Sequence, residues 1–261
     1  AALGRSGLAT ALATVTAMDE ADRRDQEWII AASLATRRPV LGTGPGVTPV
    51  RRTAAAAADP GRLLAAACGL ADRIVARGMV GQERVNWLML QRVEPARWQI
   101  LPMGAGLSEG YLGVSVFLAQ LATLTGVSRY AEVARRAVQP LPRLLAVLAE
   151  RADLVAAVGC GARGGCAGIG YGLARVATLL DDRECATMAG AAVRLAGDAA
   201  AAGAAPGWSD GLAGCLAATL AVRSELGLAG VDDLTTGYAE VLADLVLDTG
   251  GRCLVDGVSG G

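Results

Sequence analysis

Ser108-Glu109-Gly110-Tyr111-Leu112-Gly113, Arg163-Gly164-Gly165-Cys166-Ala167-Gly168, Ser209-Asp210-Gly211-Leu212-Ala213-Gly214 and Val255-Asp256-Gly257-Val258-Ser259-Gly260 are four copies of one glycine phrase. Gly110, Gly165, Gly211 and Gly257 follow one another at intervals of 55, 46 and 46 residues, and three of the four copies run into an apolar stretch with helical spacing. A fixed period of this length, with two helices per unit, marks an array of helical hairpins. No unit of such an array buries its apolar face without its neighbour. The fourth copy reaches Gly261 directly, so the array is expected to stop in mid-unit.

Outward from these phrases the apolar residues fall on helical faces. Val114, Phe117, Leu118, Leu121 and Leu124 make a stripe that ends at Gly126. A second helix is expected from Ser128 to Pro140 through Tyr130, Val133, Ala134, Ala137 and Val138, and a third over Leu144, Leu145, Val147 and Leu148. The first stripe recurs in Ile169, Leu173, Val176 and Leu180, then in Leu212, Leu216 and Leu220. Upstream, residues 8–36 read as one or two helices, with Asp19 as a cap and Asp22 in the first turn. The Gly- and Pro-rich run from Pro39 to Val50 reads as a linker. Pro60 suits the first turn of a helix carrying Leu63, Leu64, Ala67, Leu70, Ala71, Ile74 and Val75. Val85–Val93 and Trp98–Met103, around Glu94-Pro95-Ala96-Arg97, carry the only strand signal, a β-hairpin. The expected class is all-α with inner helices starting near Gly110, Gly165, Gly211 and Gly257, plus that one hairpin.

Hydrophobic residues make up 53% of the chain but aromatics only 3%, so Ala, Leu and Val must fill the core. That composition favours close helix packing over a β-sandwich. A net charge of −1 gives no electrostatic basis for binding nucleic acid or an anionic membrane. Every basic residue is arginine, which with so much alanine reads as the mark of a GC-rich genome. The longest uncharged stretch, Gly110 to Ser128, is interrupted by Gln, Thr, Ser and Gly, and reads as a buried helix rather than a membrane span. No signal-peptide pattern opens the chain, and the first residue is not Met. A cytoplasmic piece of a longer protein is expected. The six cysteines contain no Cys-x-x-Cys and read as reduced, buried thiols. Histidine is absent, which removes the usual general base and the commonest metal ligand.

Longer stretches carry a family resemblance. Asp25-Gln26-Glu27-Trp28-Ile29-Ile30-Ala31-Ala32-Ser33-Leu34-Ala35-Thr36 resembles the end of the dehydratase domain of class II lanthipeptide synthetases of the LanM type. Asn86-Trp87-Leu88-Met89-Leu90, with Arg97-Trp98-Gln99-Ile100-Leu101-Pro102-Met103-Gly104, resembles the hairpin that opens their cyclase domain. Leu107 to Ala119 resembles its first glycine motif and inner helix, and Leu124-Thr125-Gly126 with Arg129-Tyr130 and Ala134 continues the likeness. The resemblance implies residues 1–38 as a dehydratase tail, 39–61 as a linker and 62–261 as the N-terminal part of a LanC-like cyclase domain. It implies an incomplete α/α toroid holding about four of seven helical hairpins. The implied activity is addition of a peptide cysteine to a dehydrated Ser or Thr, making a thioether ring in a ribosomal precursor peptide.

In the family zinc makes the peptide thiol a thiolate, and an acid protonates the resulting enolate carbon. The family's Trp-Cys and Cys-His-Gly zinc motifs are absent, so no metal ligand is expected within this chain and the isolated chain is expected to be inactive. Asp256 stands where the family has a histidine of its fourth glycine motif. It reads either as a proton carrier with a burial-raised pKa or as an N-cap. Glu109 and Asp210 hold the matching position in copies one and three, as cavity acids or as helix-start acids serving free N–H groups. Cys166 and Cys215 read as cavity-facing thiols or as small buried hydrophobes, and Trp28, Trp87 and Trp98 as packing anchors. The implied partners are the precursor peptide and the dehydratase domain of the same polypeptide. Two rival readings are a degenerate, non-catalytic helical scaffold that binds peptide and an α/α-barrel glycosidase, which would need two carboxyls flanking a sugar.

Overall fold

The computed structural model of the chain describes residues 6–35, 59–81, 84–94 and 97–248. The fourth glycine phrase with Asp256, Cys253, and most of the expected linker lie outside the described residues.

Local chemistry sets the helix starts. Helix α1 (Gly7–Ala17) begins where the Ser6 hydroxyl accepts the Ala9 N–H at 3.2 Å. Helix α2 (Glu20–Ala35) opens on a reciprocal cap: Asp19 accepts the Asp22 N–H and Asp22 accepts the Asp19 N–H, both at 3.0 Å. In α3 (Pro60–Ala76) the Asp59 carboxylate accepts the Arg62 N–H at 2.9 Å, and Pro60 occupies the first position, where its missing N–H is no loss.

The strand region is two ladders, not one hairpin. Strand β1 (Met79–Val80) pairs with β2 (Val85–Asn86), and β3 (Leu88–Glu94) pairs with β4 (Arg97–Pro102), both antiparallel. Trp87 separates them. Its N–H donates to the Asn86 side-chain oxygen at 2.7 Å, its carbonyl accepts the Met103 N–H at 2.8 Å, and its indole is buried. A residue held this way cannot continue a ladder, so the single hairpin expected over 85–103 is corrected to a two-residue ladder and a longer one.

The remaining helices are α4 (Tyr111–Thr125), α5 (Ser128–Val138), α6 (Leu141–Glu150), α7 (Ala152–Val158), α8 (Cys166–Leu180), α9 (Arg183–Ala201), α10 (Leu212–Leu226) and α11 (Asp232–Asp248). The chain divides into two units. One holds α1, α2 and the β3–β4 hairpin, and the other holds Asp59–Trp87 and the described residues from Met103 to Asp248. In the first, α2 packs on β4.

The second unit is a run of helical hairpins. Helix α4 packs on α5, α8 on α9 and α10 on α11, while α8 also lies between α4 and α10. Helices α4, α8 and α10 are each 15 residues long, and each has a motif glycine as its N-cap: Gly110, Gly165 and Gly211. Their C-caps are left-handed, at Gly126, Asp181 and Gly227; among the described residues Asp181 is the non-glycine residue that adopts this conformation.

Helix α8 is the most enclosed element. Gly172 lies against Leu112 of α4, and a methyl there would stand 2.6 Å from the leucine Cδ2. Gly170 faces Val193 and the Ala189 carbonyl of α9. Small residues thus bring three helices together without aromatic filler. Polar ties fix their registration. The fully buried Ser115 hydroxyl donates to the Ala134 carbonyl at 2.8 Å, joining α4 to α5. Arg175 of α8 pairs with Glu225 of α10 at 2.5 Å, and both side chains are largely covered. Tyr130 of α5 donates to Asp72 of α3 at 2.5 Å. Among the described residues, no helix is long and apolar enough to cross a membrane.

Candidate functional site

Three loops, Gly104–Gly110, Gly159–Gly165 and Ala205–Gly211, share one geometry. The first N–H of the helix that follows each loop (α4, α8 and α10) donates to the carbonyl seven residues earlier: Tyr111 to Gly104 at 2.9 Å, Cys166 to Gly159 at 2.9 Å and Leu212 to Ala205 at 2.8 Å. The second N–H repeats the step in two of them, Ala167 to Cys160 at 3.3 Å and Ala213 to Pro206 at 3.2 Å. In α8 the third follows, Gly168 to Gly161 at 3.2 Å. Each loop therefore curls over its own helix and caps it with backbone.

This arrangement answers the reading of Glu109 and Asp210 as helix-start acids. Neither side chain caps its helix: the loop carbonyls take the first N–H of α4 and the first two of α10, and no side chain caps either. Glu109 instead pairs with Arg163 of the next loop, and Arg163 Nε also donates to Ser108 Oγ at 3.1 Å. Asp210 is exposed. The same carbonyls occupy donors that would otherwise offer partial positive charge to a ligand, so the helix ends are less anion-seeking than helix termini alone imply.

The loops also join one another in series. The Leu107 and Ser108 N–H groups both donate to the Arg163 carbonyl at 3.1 Å, and the Arg163 N–H donates to the Ser209 carbonyl at 2.9 Å. Beside this seam lies a cleft of about 570 Å³, lined by Leu107, Ser108, Arg163, Tyr171, Trp208 and the alanine face of α10 at Ala217. Trp208 is 57% exposed, an unusual state for the largest apolar side chain. The cleft thus offers aromatic and apolar walls with a polar end at Ser108 and Arg163. Sequence reasoning assigned no role to Trp208, although its place three residues before Gly211 was a usable signal. It also passed over Gly106, Gly161 and Gly207, which extend the repeat upstream by a fixed four residues from each cap glycine.

The cysteines are interior. Cys160, Cys166, Cys185 and Cys215 are buried free thiols, which selects the buried reading of Cys166 and Cys215 over the cavity-facing one. Burial, with the nearby Cys160 adding to it, pushes the Cys166 thiol up to about 11. Burial and then Asp182 push Cys185 up to about 12. A zinc ligand needs the opposite, a thiolate at neutral pH. Among the described residues no group of three or more Cys, Asp or Glu is placed to hold a metal ion, and the chain has no histidine. The described residues thus do not fit a zinc site.

Those raised values have a measurable consequence. Folded-state values above the ordinary 9.0 mean that the native protein holds its thiol protons more tightly than the unfolded chain. The associated stability is complete below pH 9 and is lost as pH rises through 11 to 12. The melting temperature is expected to be flat from pH 7 to about 8.5 and to fall above pH 9, with a shallower fall in Cys185→Ala. An equal slope in that variant would remove Cys185 from the account.

Of the expected anchors, Trp87 is buried, Trp98 half-buried and Trp28 partly exposed. Compared with known proteins, the chain matches no family model and no curated protein.

Proposed function

We propose that this chain is part of a lanthionine synthetase, its glycine-loop hairpins forming the front of a LanC-like α/α toroid with about four of seven hairpins inside the chain. The observation that carries this reading is the threefold recurrence of one cap: a motif glycine at the N-cap of a 15-residue inner helix, with the first helical N–H bonded to a carbonyl seven residues back. The loops so formed line up edge to edge and open onto the Trp208 cleft.

In this reading the cleft receives a cysteine-bearing, dehydrated precursor peptide delivered by a dehydratase domain of the same polypeptide. The chain's own part is to bind and orient. Trp208 and Tyr171 supply apolar faces for side chains, and Ser108 and Arg163 supply donors for peptide carbonyls. Zinc, when bound in the intact family, converts the peptide thiol to a thiolate, and its ligands are proposed to lie outside this chain. Asp256 is the proposed proton carrier for the enolate. A specific observation favours a second reading, a non-catalytic peptide-binding scaffold: the chain lacks histidine, and its described residues hold no metal-binding group.

The test is a titration of the chain with a dehydrated, cysteine-bearing peptide, followed by tryptophan emission, and then a count of peptide thiols that resist alkylation after zinc is added. A saturable change in emission, abolished by Trp208→Phe, with no loss of thiol, is expected. No saturable response would sink both peptide-binding readings. Zinc-dependent thiol loss would make the chain a cyclase in its own right and Asp256 the first residue to replace.

A further inference from the structure

Among the described residues, Arg163 is the one charged side chain on the wall of the Trp208 cleft. Backbone bonds fix it from both neighbouring loops. Its carbonyl accepts the Leu107 and Ser108 N–H groups at 3.1 Å, and its N–H donates to the Ser209 carbonyl at 2.9 Å. The guanidinium is oriented too. Nε donates to Ser108 Oγ at 3.1 Å, and Nη2 donates to Glu109, which is not part of the wall. Nε and Nη2 form one edge of the planar group. The other edge, Nη1 with the second Nη2 proton, has no partner among the described residues, and the side chain is half exposed. The wall is otherwise mostly apolar, with the exposed Trp208 ring and the methyl groups of Ala217, Ala218 and Ala221 on α10.

We propose that the cleft selects peptides carrying a carboxylate close to a bulky apolar residue, with the carboxylate on the open Arg163 edge and the apolar side chain against Trp208. This inference rests on the peptide-binding reading and adds the charge of the substrate to it. Two parallel N–H groups in one plane match the two oxygens of a carboxylate, whereas a peptide carbonyl takes one and leaves the other unmet. The Arg163 backbone and the opposite edge of its guanidinium are already held, so docking costs little side-chain freedom.

Glu109 sets the strength of the preference. Its carboxylate offsets the arginine charge and repels a second carboxylate at the same guanidinium. Removing that charge leaves Arg163 with Ser108 alone and sharpens the discrimination between an acidic peptide and its amide counterpart. Because Arg163 and Glu109 are both half exposed, the discrimination weakens with salt.

The experiment titrates the chain with acetylated, C-terminally amidated, dehydrated cysteine peptides that contain Phe and, a few residues away, either Glu or Gln. Tryptophan emission reports binding. At low salt the best-placed Glu peptide is expected to bind about 5-fold more tightly than its Gln counterpart, and the ratio should fall below about 2 at high salt. Glu109→Gln should widen the ratio about threefold. Arg163→Lys, which keeps the charge without the fork, should narrow it, and Arg163→Gln should bring it to about one. A Gln peptide with a free C-terminus separates the two sources of carboxylate: if it binds like the Glu peptide a terminal carboxylate serves equally, and if it binds like the amide an acidic side chain is required. Saturable binding without any preference for a carboxylate would overturn the proposal and spare the peptide-binding reading. So would a preference that Arg163→Gln leaves intact, or one that Glu109→Gln leaves unchanged or narrows. No saturable response to any of the peptides would remove both.

Discussion

Gly214→Ala is expected to destabilise the protein by about 3–5 kcal/mol, a loss comparable with the whole stability of many domains. The argument is steric. Gly214 sits three residues after the N-cap Gly211, in the first turn of α10, where the preceding loop crosses back over the helix. A methyl added there would overlap the Trp208 carbonyl oxygen and meet the Ala162 Cβ at 2.9 Å. The overlapped atom is backbone and cannot swing aside as a side chain tip would. The loop must lift instead. Lifting it breaks the bonds from Leu212 to Ala205 and from Ala213 to Pro206, leaving helix N–H groups uncapped. It also draws Ala162, and with it the neighbouring loop, away from α10. Gly69→Ala is the control: no atom lies within 4 Å of a methyl at that helical position, so the change should be neutral or stabilising by about 0.5–1 kcal/mol. Urea midpoints for both variants, with far-ultraviolet dichroism as the probe, decide the matter. Similar midpoints would show that the loop accommodates a side chain and that the glycines have another cause.

Helices α4, α8 and α10 were legible because two independent signals coincide on them. Leu118 and Leu121, or Leu173 and Val176, give the helical stripe, and the glycine phrase marks its start. Their hairpin partners α5, α9 and α11 carry only the first signal, and in α9 that signal is weak. Its buried face includes Ala189, Ala192, Ala196 and Ala199, while alanine also occupies the half-buried positions 186, 191 and 200, so apolar contrast around the helix is small. Strand β1 was missed because two residues cannot show an alternation. The motif glycines at the helix starts do not serve unusual backbone angles. Gly110, Gly165 and Gly211 have ordinary negative φ values. What they provide is room, since a side chain at any of them would meet the loop carbonyls. The Arg163–Glu109 pair joins residues 54 apart, and the Trp208 cleft is assembled from three successive loops and the two helices α8 and α10. No local pattern encodes such a meeting; only the packing order of the hairpins does.

Trp87→Ala is expected to cost about 3–5 kcal/mol, in the range for deleting a buried aromatic side chain. At 5% exposure the indole fills the space between α3 and the short β1–β2 ladder, and its Nε1–H donates to the Ile74 carbonyl at 2.8 Å. The residue also organises backbone. Its N–H is held by the Asn86 side chain, which in turn donates to the Met103 carbonyl at 3.1 Å, and the Trp87 carbonyl takes the Met103 N–H. Trp87 and Met103 are thus tied together at the two points where the chain leaves for the β3–β4 hairpin and returns. Truncation to alanine opens a cavity at that junction and frees the segment that leads into the first glycine loop at Gly104. Trp87→Phe keeps most of the ring but drops the indole donor, so its cost should be smaller, about 1–2 kcal/mol. Trp28→Ala, at a partly exposed position, should cost less than Trp87→Ala. Hydrogen exchange separates a local role from general destabilisation: the Met103 amide should lose protection in Trp87→Ala under conditions where the Ile169 amide, bonded to Gly165 at the start of α8, keeps it. Parallel loss of protection at both amides would mean that Trp87 contributes only to the shared core and does not fix the junction.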